Sequence, residues 1–276
     1  MNADDLPTLR EELEAHDLWA NKGLGQHFLL DLNITRRIAR AAGPISGKPV
    51  LEVGPGPGGL TRALLEAGAS PLIAIERDAR FLPMLEPLVA WSGGRLHIVH
   101  ADALAADEAS LLGAGKAAVV SNLPYNVGTP LLVKWLKGSG WRGDMTLMFQ
   151  KEVAQRIVAE PGSAAYGRLA VLAKARCHAR LEFTVPARAF TPPPKIASAI
   201  VHLTDCRDPY PNLDALERVT AAAFGQRRKM LRSALKSLTQ DAEALLRSAD
   251  LPPTARAEEI DPAGFRRLTD AWLRMA

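Results

Sequence analysis

Short apolar runs alternate with segments of helical composition between residues 50 and 185. The runs predict β-strands at 50–53, 72–76, 96–100, 117–121 and 145–149. The segments 59–67, 79–89 and 130–137 between them have helical composition, the last with a proline in its first turn. Strands that alternate with helices are typical of a parallel sheet with helices on both faces. The pattern therefore predicts an α/β fold with right-handed βαβ crossovers.

Two more strands are predicted at 181–185 and 198–203. The loop between them carries Phe190 and then three prolines within 192–194, which fix φ and make the loop stiff and extended. After residue 208 the pattern changes to helices alone, expected at 213–224, 229–238, 241–249 and 264–275. We therefore expect an α/β domain at 49–206 and a smaller all-helical domain at 207–276.

The composition is that of a globular chain able to bury a substantial core. The 276 residues are 47% hydrophobic, the first ten are polar, and no run is long enough to span a bilayer, so we expect a cytoplasmic protein without membrane attachment. Cys177 and Cys206 stand far apart, so neither a disulfide nor a zinc site is expected. The net charge of +4 is compatible with a nucleic-acid partner but does not require one.

A glycine-rich turn follows the first of the central strands. Gly54, Gly56 and Gly59 satisfy G-x-G-x-x-G, and glycines let a backbone approach a ligand closely. Glu76 ends the next strand, where it would serve a ribose, and Asp102 follows the third, where it can contact an adenine amino group. A dinucleotide cofactor is an open alternative, and so is a structural role for both acids at strand ends.

S-adenosylmethionine fits these residues better than a dinucleotide, because no group of residues suited to hydride transfer follows. Its ribose hydroxyls would meet Glu76, its adenine would meet Asp102, and its methionine portion would lie over Gly54 and Gly56. The expected fold is then a Rossmann-like S-adenosylmethionine-dependent methyltransferase sheet with a C-terminal helical domain.

The tetrapeptide of Asn122, Leu123, Pro124 and Tyr125 follows a buried strand and suits the alkylation of an exocyclic amine. An Asn side-chain oxygen and a backbone carbonyl can hold an amino group as its nitrogen becomes tetrahedral, which favours the transition state. Pro124 stiffens the turn, and Tyr125 offers a ring on which an extruded base can stack. An ordinary turn at a strand end with a packing tyrosine is the alternative.

Basic residues cluster near the start of the helical domain. Leu231, Leu235 and Leu238 would share one stripe of a helix, and Arg228, Arg232 and Lys236 another face. This face is either solvated or a contact for RNA phosphates. The candidate RNA-binding residues are Arg227, Arg228, Lys229, Arg232 and Lys236, and Lys22, Arg36 and Arg37 are expected to extend the patch.

The ordered motifs resemble those of the ribosomal RNA adenine N6,N6-dimethyltransferases, the kasugamycin-sensitivity family, over most of the chain. The motifs that match include 22–29, 54–61, 122–127, 150–153, 166–168 and 190–195. The resemblance implies dimethylation of N6 on two adjacent adenosines in the 3′-terminal hairpin loop of small-subunit (16S) ribosomal RNA, late in subunit biogenesis. It implies S-adenosylmethionine as cofactor and the small ribosomal subunit as partner. We further expect a monomer without a metal.

The resemblance also implies roles for residues outside the two central motifs. An N-terminal helical segment at 1–48 would close over the cofactor with contacts from His27 and Leu29, and Phe190 would be the second aromatic of the base pocket. This chain departs from the family where His27 replaces the usual Asn and Gly128 the usual Ser. The alternatives are an adenine methyltransferase acting on large-subunit RNA or DNA, and an assembly factor whose binding outweighs its catalysis.

Overall fold

The protein, described here as a computed structural model, is defined over residues 6–18, 27–113, 115–138 and 140–275. It divides into two compact units. The first comprises Met1–Ala154 and Arg180–Leu203, and the second comprises Gln155–Ala179 and Thr204–Ala276. No helix within these described ranges is long and apolar enough to cross a membrane.

Nine strands are found in the described chain, and seven of them form one sheet in the order β4-β3-β2-β5-β6-β9-β7. Their bounds are β1 Phe28–Leu29, β2 Val50–Val53, β3 Leu72–Glu76, β4 Leu96–His100, β5 Ala117–Asn122, β6 Arg142–Gln150, β7 Cys177–Val185, β8 Phe190–Thr191 and β9 Ser198–Asp205. Strands β2 to β6 pair in parallel, and β9 runs antiparallel to β6. The predicted α/β class is confirmed, with antiparallel pairing added at one side.

Twelve α-helices are defined over the same residues. Those before β7 are α1 Leu9–Ala15, α2 Leu32–Ala41, α3 Gly59–Glu66, α4 Leu82–Trp91, α5 Glu108–Leu112, α6 Gly128–Lys137, α7 Lys151–Val158 and α8 Arg168–Arg176. The others are α9 Leu213–Gly225, α10 Leu231–Ala234, α11 Ala242–Ser248 and α12 Pro262–Met275. The expected helix at 79–89 is split, because Asp78 caps a short 3-10 turn at Ala79–Phe81 before α4 begins.

Strand β2 is central because it pairs with β3 on one side and β5 on the other. All four of its residues are buried, as are all five of β3, so both faces of this part of the sheet are covered. Ile38 of α2 and Leu64 of α3 belong to the same apolar cluster as Val50. Burial of these aliphatic side chains is worth about 1.5–3 kcal/mol each and holds the strands in one register.

A separate two-stranded sheet joins distant parts of the first unit. Phe28 of β1 pairs with Thr191, and Leu29 pairs with Phe190 of β8. The segment before α2 is therefore tied to the proline loop between β7 and β9.

The expected helix at 229–238 is wrong as a single element. Met230 is extended, with φ −63° and ψ 149°, and bridges Arg256, so helical geometry cannot pass through it. Helix α10 covers four residues only, and a 3-10 turn at Leu235–Ser237 follows it. Arg228, which precedes the extended residue, therefore does not lie on one continuous helical face with Arg232 and Lys236.

Residues 155–179, which include the first three residues of β7, group with the C-terminal helices, and this differs from the expected boundary near residue 206. Tyr166 is fully buried in the second unit, and its hydroxyl donates to the Ile260 carbonyl at 2.8 Å. The Phe224 ring of α9 packs edge-on against Tyr166 and stacks on Phe265 of α12. These long-range contacts carry no local sequence pattern, which is why the alternation of strands and helices did not predict the grouping.

His202 provides a test of sheet packing between β6 and β9. Its Nδ1 lies 2.8 Å from Thr146 Oγ1, and burial, with the nearby Arg180, lowers the pKa of the imidazole. Because the unfolded chain then binds a proton more readily, stability is lost as pH falls from about 6.5 towards the folded pKa.

We expect the free energy of unfolding to fall less between pH 7.5 and 5.5 in His202→Gln than in the original protein, measured by urea denaturation. Equal falls in the two proteins would show that His202 does not contribute to acid sensitivity.

Candidate active site

A cavity of about 600 Å³ lies at the carboxyl ends of the parallel strands in the first unit. The ends of β2, β3 and β5 and the residues after β4 all contribute to its wall, because parallel strands end at the same edge of a sheet. The predicted residues that line it are His27, Leu29, Gly54, Gly56, Glu76, Asp102, Asn122, Leu123, Pro124, Tyr125 and Phe190. The fold thus brings both central motifs and Phe190 to one cavity.

The glycine turn after β2 has a backbone that side chains would strain. Gly54 has φ +69° and Gly56 has φ +51°. A Cβ on Gly54 would lie 3.4 Å from Pro124 Cδ, and one on Gly56 would lie 3.7 Å from Phe28 Cε1. The turn therefore leaves bare backbone facing the cavity, as close approach of a ligand requires.

Glu76 connects the end of β3 to this turn. Its Oε2 accepts from the Gly56 amide at 3.1 Å, and its Oε1 accepts from the Asp78 amide at 2.8 Å. Burial raises the pKa of the carboxyl, and the two amide bonds act in the opposite direction. Each carboxylate oxygen can accept a further hydrogen bond, so Glu76 retains acceptor capacity for a ligand hydroxyl.

Asp102 lies one strand further along and is more exposed. Its Oδ1 accepts from the Leu104 amide at 2.9 Å, and its Oδ2 lies 3.3 Å from Arg77 Nη1. These contacts orient the carboxylate at the wall of the cavity. The same wall includes Ala103 and Leu104.

Glu52 is a cavity residue that the sequence reasoning missed. It is 1% exposed, and its Oε2 has no hydrogen-bond partner among the residues that the structure describes. Burial raises the pKa of the carboxyl to about 8, helped by the Glu76 charge and opposed by the nearby Thr61 hydroxyl. An acid within the apolar run that leads into a glycine turn is the signal that would have found it.

The Asn-Leu-Pro-Tyr turn begins at the last residue of β5. The Pro124 carbonyl accepts from the amides of Val127 and Gly128, which starts α6 directly after the turn. The Tyr125 hydroxyl lies 2.7 Å from the hydroxyl of Ser198, the first residue of β9, which is fully buried. Ser198, which the sequence reasoning also missed, therefore anchors the tyrosine that lines the cavity.

His27 lies between the turn and the proline loop. Its Nδ1 is 2.8 Å from the Pro192 carbonyl oxygen, which only accepts, so Nδ1 carries the proton. The His27 ring centroid is 5.6 Å from that of Tyr125. Leu29 is buried, and its carbonyl would be 2.9 Å from a Cβ on Gly59.

Gly128, the second departure from the family pattern, has little room for a side chain. A Cβ there would lie 3.3 Å from Phe149 Cε1 and 3.5 Å from Leu123 Cβ. The residue is buried, and its amide bonds to Pro124. Glycine therefore lets the start of α6 pack closely under the turn.

The candidate RNA-binding residues belong to the second unit and differ in their contacts. Arg227 donates to Glu258 and to the Ala164 carbonyl, and Arg232 lies 3.7 Å from Glu243. The three exposed residues Arg228, Lys229 and Lys236 have no such ion pair within the described ranges.

Of the residues expected to extend the patch, two have contacts in the first unit. Arg36 forms an ion pair with Glu66, and the Arg37 guanidinium lies over the Phe183 ring at 3.9 Å. Lys22 lies outside the described residues. An RNA contact from any of these residues stays a prediction.

The sheet with a cavity at its carboxyl edge has the Rossmann-like fold of S-adenosylmethionine-dependent methyltransferases, as the similarity to two solved structures shows. A dimethyladenosine transferase from Plasmodium falciparum has the same fold, with 26% identity, a TM-score of 0.76, and coverage of 88% of this chain and 96% of that one. The 23S rRNA methyltransferase ErmE is also similar, with 27% identity, a TM-score of 0.67, and coverage of 88% and 98%.

Residues 18–270 match the ribosomal RNA adenine dimethylase family, and the chain belongs to it. It is 61% identical over 275 residues to the ribosomal RNA small subunit methyltransferase A of Phenylobacterium zucineum, which covers 99% of this chain and 95% of that protein. The protein of the same name from Xanthobacter autotrophicus is 56% identical, with coverage of 99% and 96%. The resemblance inferred from the motifs is confirmed, and the family is one of methyltransferases. The binding role of the glycine turn stays a prediction.

Glu52 offers a test of the electrostatics of the cavity. With a pKa of about 8 in the folded protein and 4.5 as its ordinary value, its contribution to stability is fully present below about pH 4.5 and is lost as pH rises through 8. Glutamine cannot ionise, so Glu52→Gln should gain stability relative to the original protein as pH rises.

From pH 5 to pH 8.5 we expect the free energy of unfolding of Glu52→Gln to rise relative to that of the original protein, by on the order of a few kcal/mol. Denaturant titrations without cofactor at the two pH values measure it. A difference that does not change with pH would contradict the assignment of a buried, ionisable Glu52.

Proposed function

We propose that this protein transfers methyl groups from S-adenosylmethionine to N6 of two adjacent adenosines in the 3′-terminal hairpin loop of 16S ribosomal RNA, twice on each, late in small-subunit biogenesis. The observation that carries the proposal is that the Asn-Leu-Pro-Tyr turn lines the same cavity as the glycine turn, Glu76 and Asp102. Family membership supports the adenine and the ribosomal RNA as substrate.

The residues present fit S-adenosylmethionine. The bare backbone of Gly54 and Gly56 has room for the methionine portion, Glu76 has acceptor capacity for ribose hydroxyls, and Asp102 can accept from an adenine amino group. Glu52 adds a buried oxygen without a partner in the cavity wall. When bound, the cofactor supplies an electrophilic methyl group on a sulfonium.

Asn122 and Leu123 would hold the target amino group. The adenine amino nitrogen is a poor nucleophile because its lone pair is delocalised into the ring. The Asn122 side-chain oxygen and the Leu123 carbonyl can accept its two hydrogens, and they bind it better as it becomes tetrahedral. The Pro124 carbonyl already accepts from two amides, so it serves the turn itself.

The chemistry requires no general base in the first step. Once alkylated, the nitrogen is strongly acidic and loses its proton to water or to a carbonyl. This explains why the proposed mechanism assigns no proton transfer to His27.

Tyr125 and Phe190 would contact the extruded adenine from two sides. Tyr125 is held by Ser198, and Phe190 is 2% exposed on a strand paired with Leu29. A base stacked on an aromatic side chain gains about 1–3 kcal/mol, which offsets part of the cost of unstacking it from RNA.

Among the five candidate RNA-binding residues, Arg228, Lys229 and Lys236 are best suited to phosphate contact, because no acidic side chain in the described chain pairs with them. Arg227 and Arg232 would have to break their ion pairs with Glu258 and Glu243 before they could contact phosphate. We place the protein in the cytoplasm, acting as a monomer on small ribosomal subunits.

Asn122→Ala tests the catalytic assignment. Incubation with unmethylated small subunits and labelled S-adenosylmethionine, followed by mapping of modified bases, should place label from the original protein on two adjacent adenosines near the 3′ end of 16S RNA. The variant should lose at least a hundredfold in methylation rate, because one of the two acceptors for the amino group is removed, while binding cofactor and subunits normally.

Methylation by Asn122→Ala at the original rate would overturn the role of this residue. Label found in large-subunit RNA or duplex DNA would overturn the substrate assignment. If the inactive variant fully restored subunit maturation in cells that lack the enzyme, binding would outweigh catalysis in its biological role.

Replacement of Arg228, Lys229 and Lys236 by alanine tests the RNA-binding surface. Each lost phosphate contact should weaken subunit binding and lower the slope of log K against log salt by about one. The control removes three other exposed cations of the second unit, Arg207, Arg274 and Arg247, the last of which pairs with Glu243. Equal salt slopes for the two triple variants would show that the first set has no special role.

A further inference from the structure

Lys134 of α6 sits in a polar cluster beside the cavity, but it is not one of the residues that line the cavity wall. Its Nζ donates to the Ala103 carbonyl at 2.8 Å, to the Ala106 carbonyl at 2.6 Å and to Glu108 Oε1 at 2.8 Å. An ammonium group has three protons, and three acceptors surround this one. Lys134 is therefore committed to a single arrangement of the segment 103–108.

The acceptor from Glu108 is itself fixed. Glu108 is 4% exposed, and its Oε1 also accepts from the indole Nε1 of Trp135 at 2.8 Å. Trp135 is fully buried, so two neighbouring residues of α6 bind the same carboxylate oxygen from a rigid position. A buried carboxylate bound this way resists displacement, because its charge would otherwise lose its partner.

The other end of this segment is Asp102. The amides of Ala105 and Ala106 donate to the Asp102 carbonyl at 3.0 Å each, and the Leu104 amide donates to its Oδ1. The loop is thus closed on Asp102 at its start and on Lys134 at its end. Asp102, Ala103 and Leu104 all line the cavity.

We propose that Lys134 is a positioning residue that holds the Asp102 loop against the cofactor's adenine and so sets the selectivity of the cavity for an adenine amino group. This inference rests on the proposed function, in which Asp102 accepts from that group. Helix α6 starts directly after the catalytic turn, so one helix connects the acceptors for the target base with the loop that recognises the cofactor.

The test compares binding of S-adenosylhomocysteine with that of S-inosylhomocysteine, in which an oxygen replaces the adenine amino group, by isothermal titration calorimetry. The original protein should prefer the adenine ligand. In Lys134→Met, which keeps an apolar chain of similar length, Kd for the adenine ligand should rise about tenfold and Kd for the inosine ligand less than twofold. The rate at saturating cofactor should change less than twofold.

The control is Lys174→Met, which removes a lysine paired with Glu160 in the second unit and should change neither Kd. A double-mutant comparison adds Asp102→Ala. If Lys134 acts through Asp102, Lys134→Met should produce no further loss of selectivity in that background.

The outcomes separate the inference from the proposed function. An original protein that binds neither ligand overturns the cofactor assignment itself. An original protein that binds both alike overturns the proposed contact of Asp102 with the adenine amino group. If the original protein prefers the adenine ligand and Lys134→Met prefers it equally, the positioning role alone is overturned. The same holds if Lys134→Met loses affinity for both ligands to the same extent. Should Lys134→Met not fold, Lys134→Arg decides by the same ratio of Kd values, because its planar head cannot reproduce the three-acceptor geometry.

Discussion

The pairing of β2 with β3 and β5 is the constraint on which the candidate active site depends. Parallel strands in one register end at the same edge, and the chain leaving each strand there carries a different functional group. The Glu76 carboxylate then bonds to the Gly56 amide, which ties the end of β3 to the turn after β2. Packing of buried aliphatic residues on both faces of the sheet maintains this register. The geometry of the cavity therefore depends on an apolar core that also contributes Leu29, Leu60 and Phe190 to the cavity wall.

A second level of organisation comes from contacts between segments far apart in the chain. The β1–β8 pairing and the bond from His27 to the Pro192 carbonyl connect the N-terminal segment to the loop that carries Phe190. Ser198 holds the Tyr125 hydroxyl from the start of β9. Aromatic rings can serve as stacking surfaces only when their orientation is restricted in this way, so these bonds connect the antiparallel side of the fold to the proposed base pocket.

The sequence predicted the elements of the sheet well because hydrophobic runs and turn residues are local signals. It failed where a distant partner decides the local conformation. Met230 pairs with Arg256 and interrupts the expected helix, although the leucines that follow it have helical spacing. Glu52 was not found although its place in the apolar run before the glycine turn is a local signal. Ser198 and Lys134 were not found because nothing in their immediate neighbourhood shows which distant groups they bind.

By itself, the sequence determined the strand order along the chain, the glycine turn, the strand-end acids, the Asn-Leu-Pro-Tyr turn and the family. These depend on residue type and spacing, which are readable in one dimension. Only the tertiary structure decided that residues 155–179 pack with the C-terminal helices, that Glu52 is buried without a partner, and that Lys134 closes the loop after Asp102. The physical reason is that burial and hydrogen-bond satisfaction depend on the groups that folding brings together, and these come from distant parts of the chain.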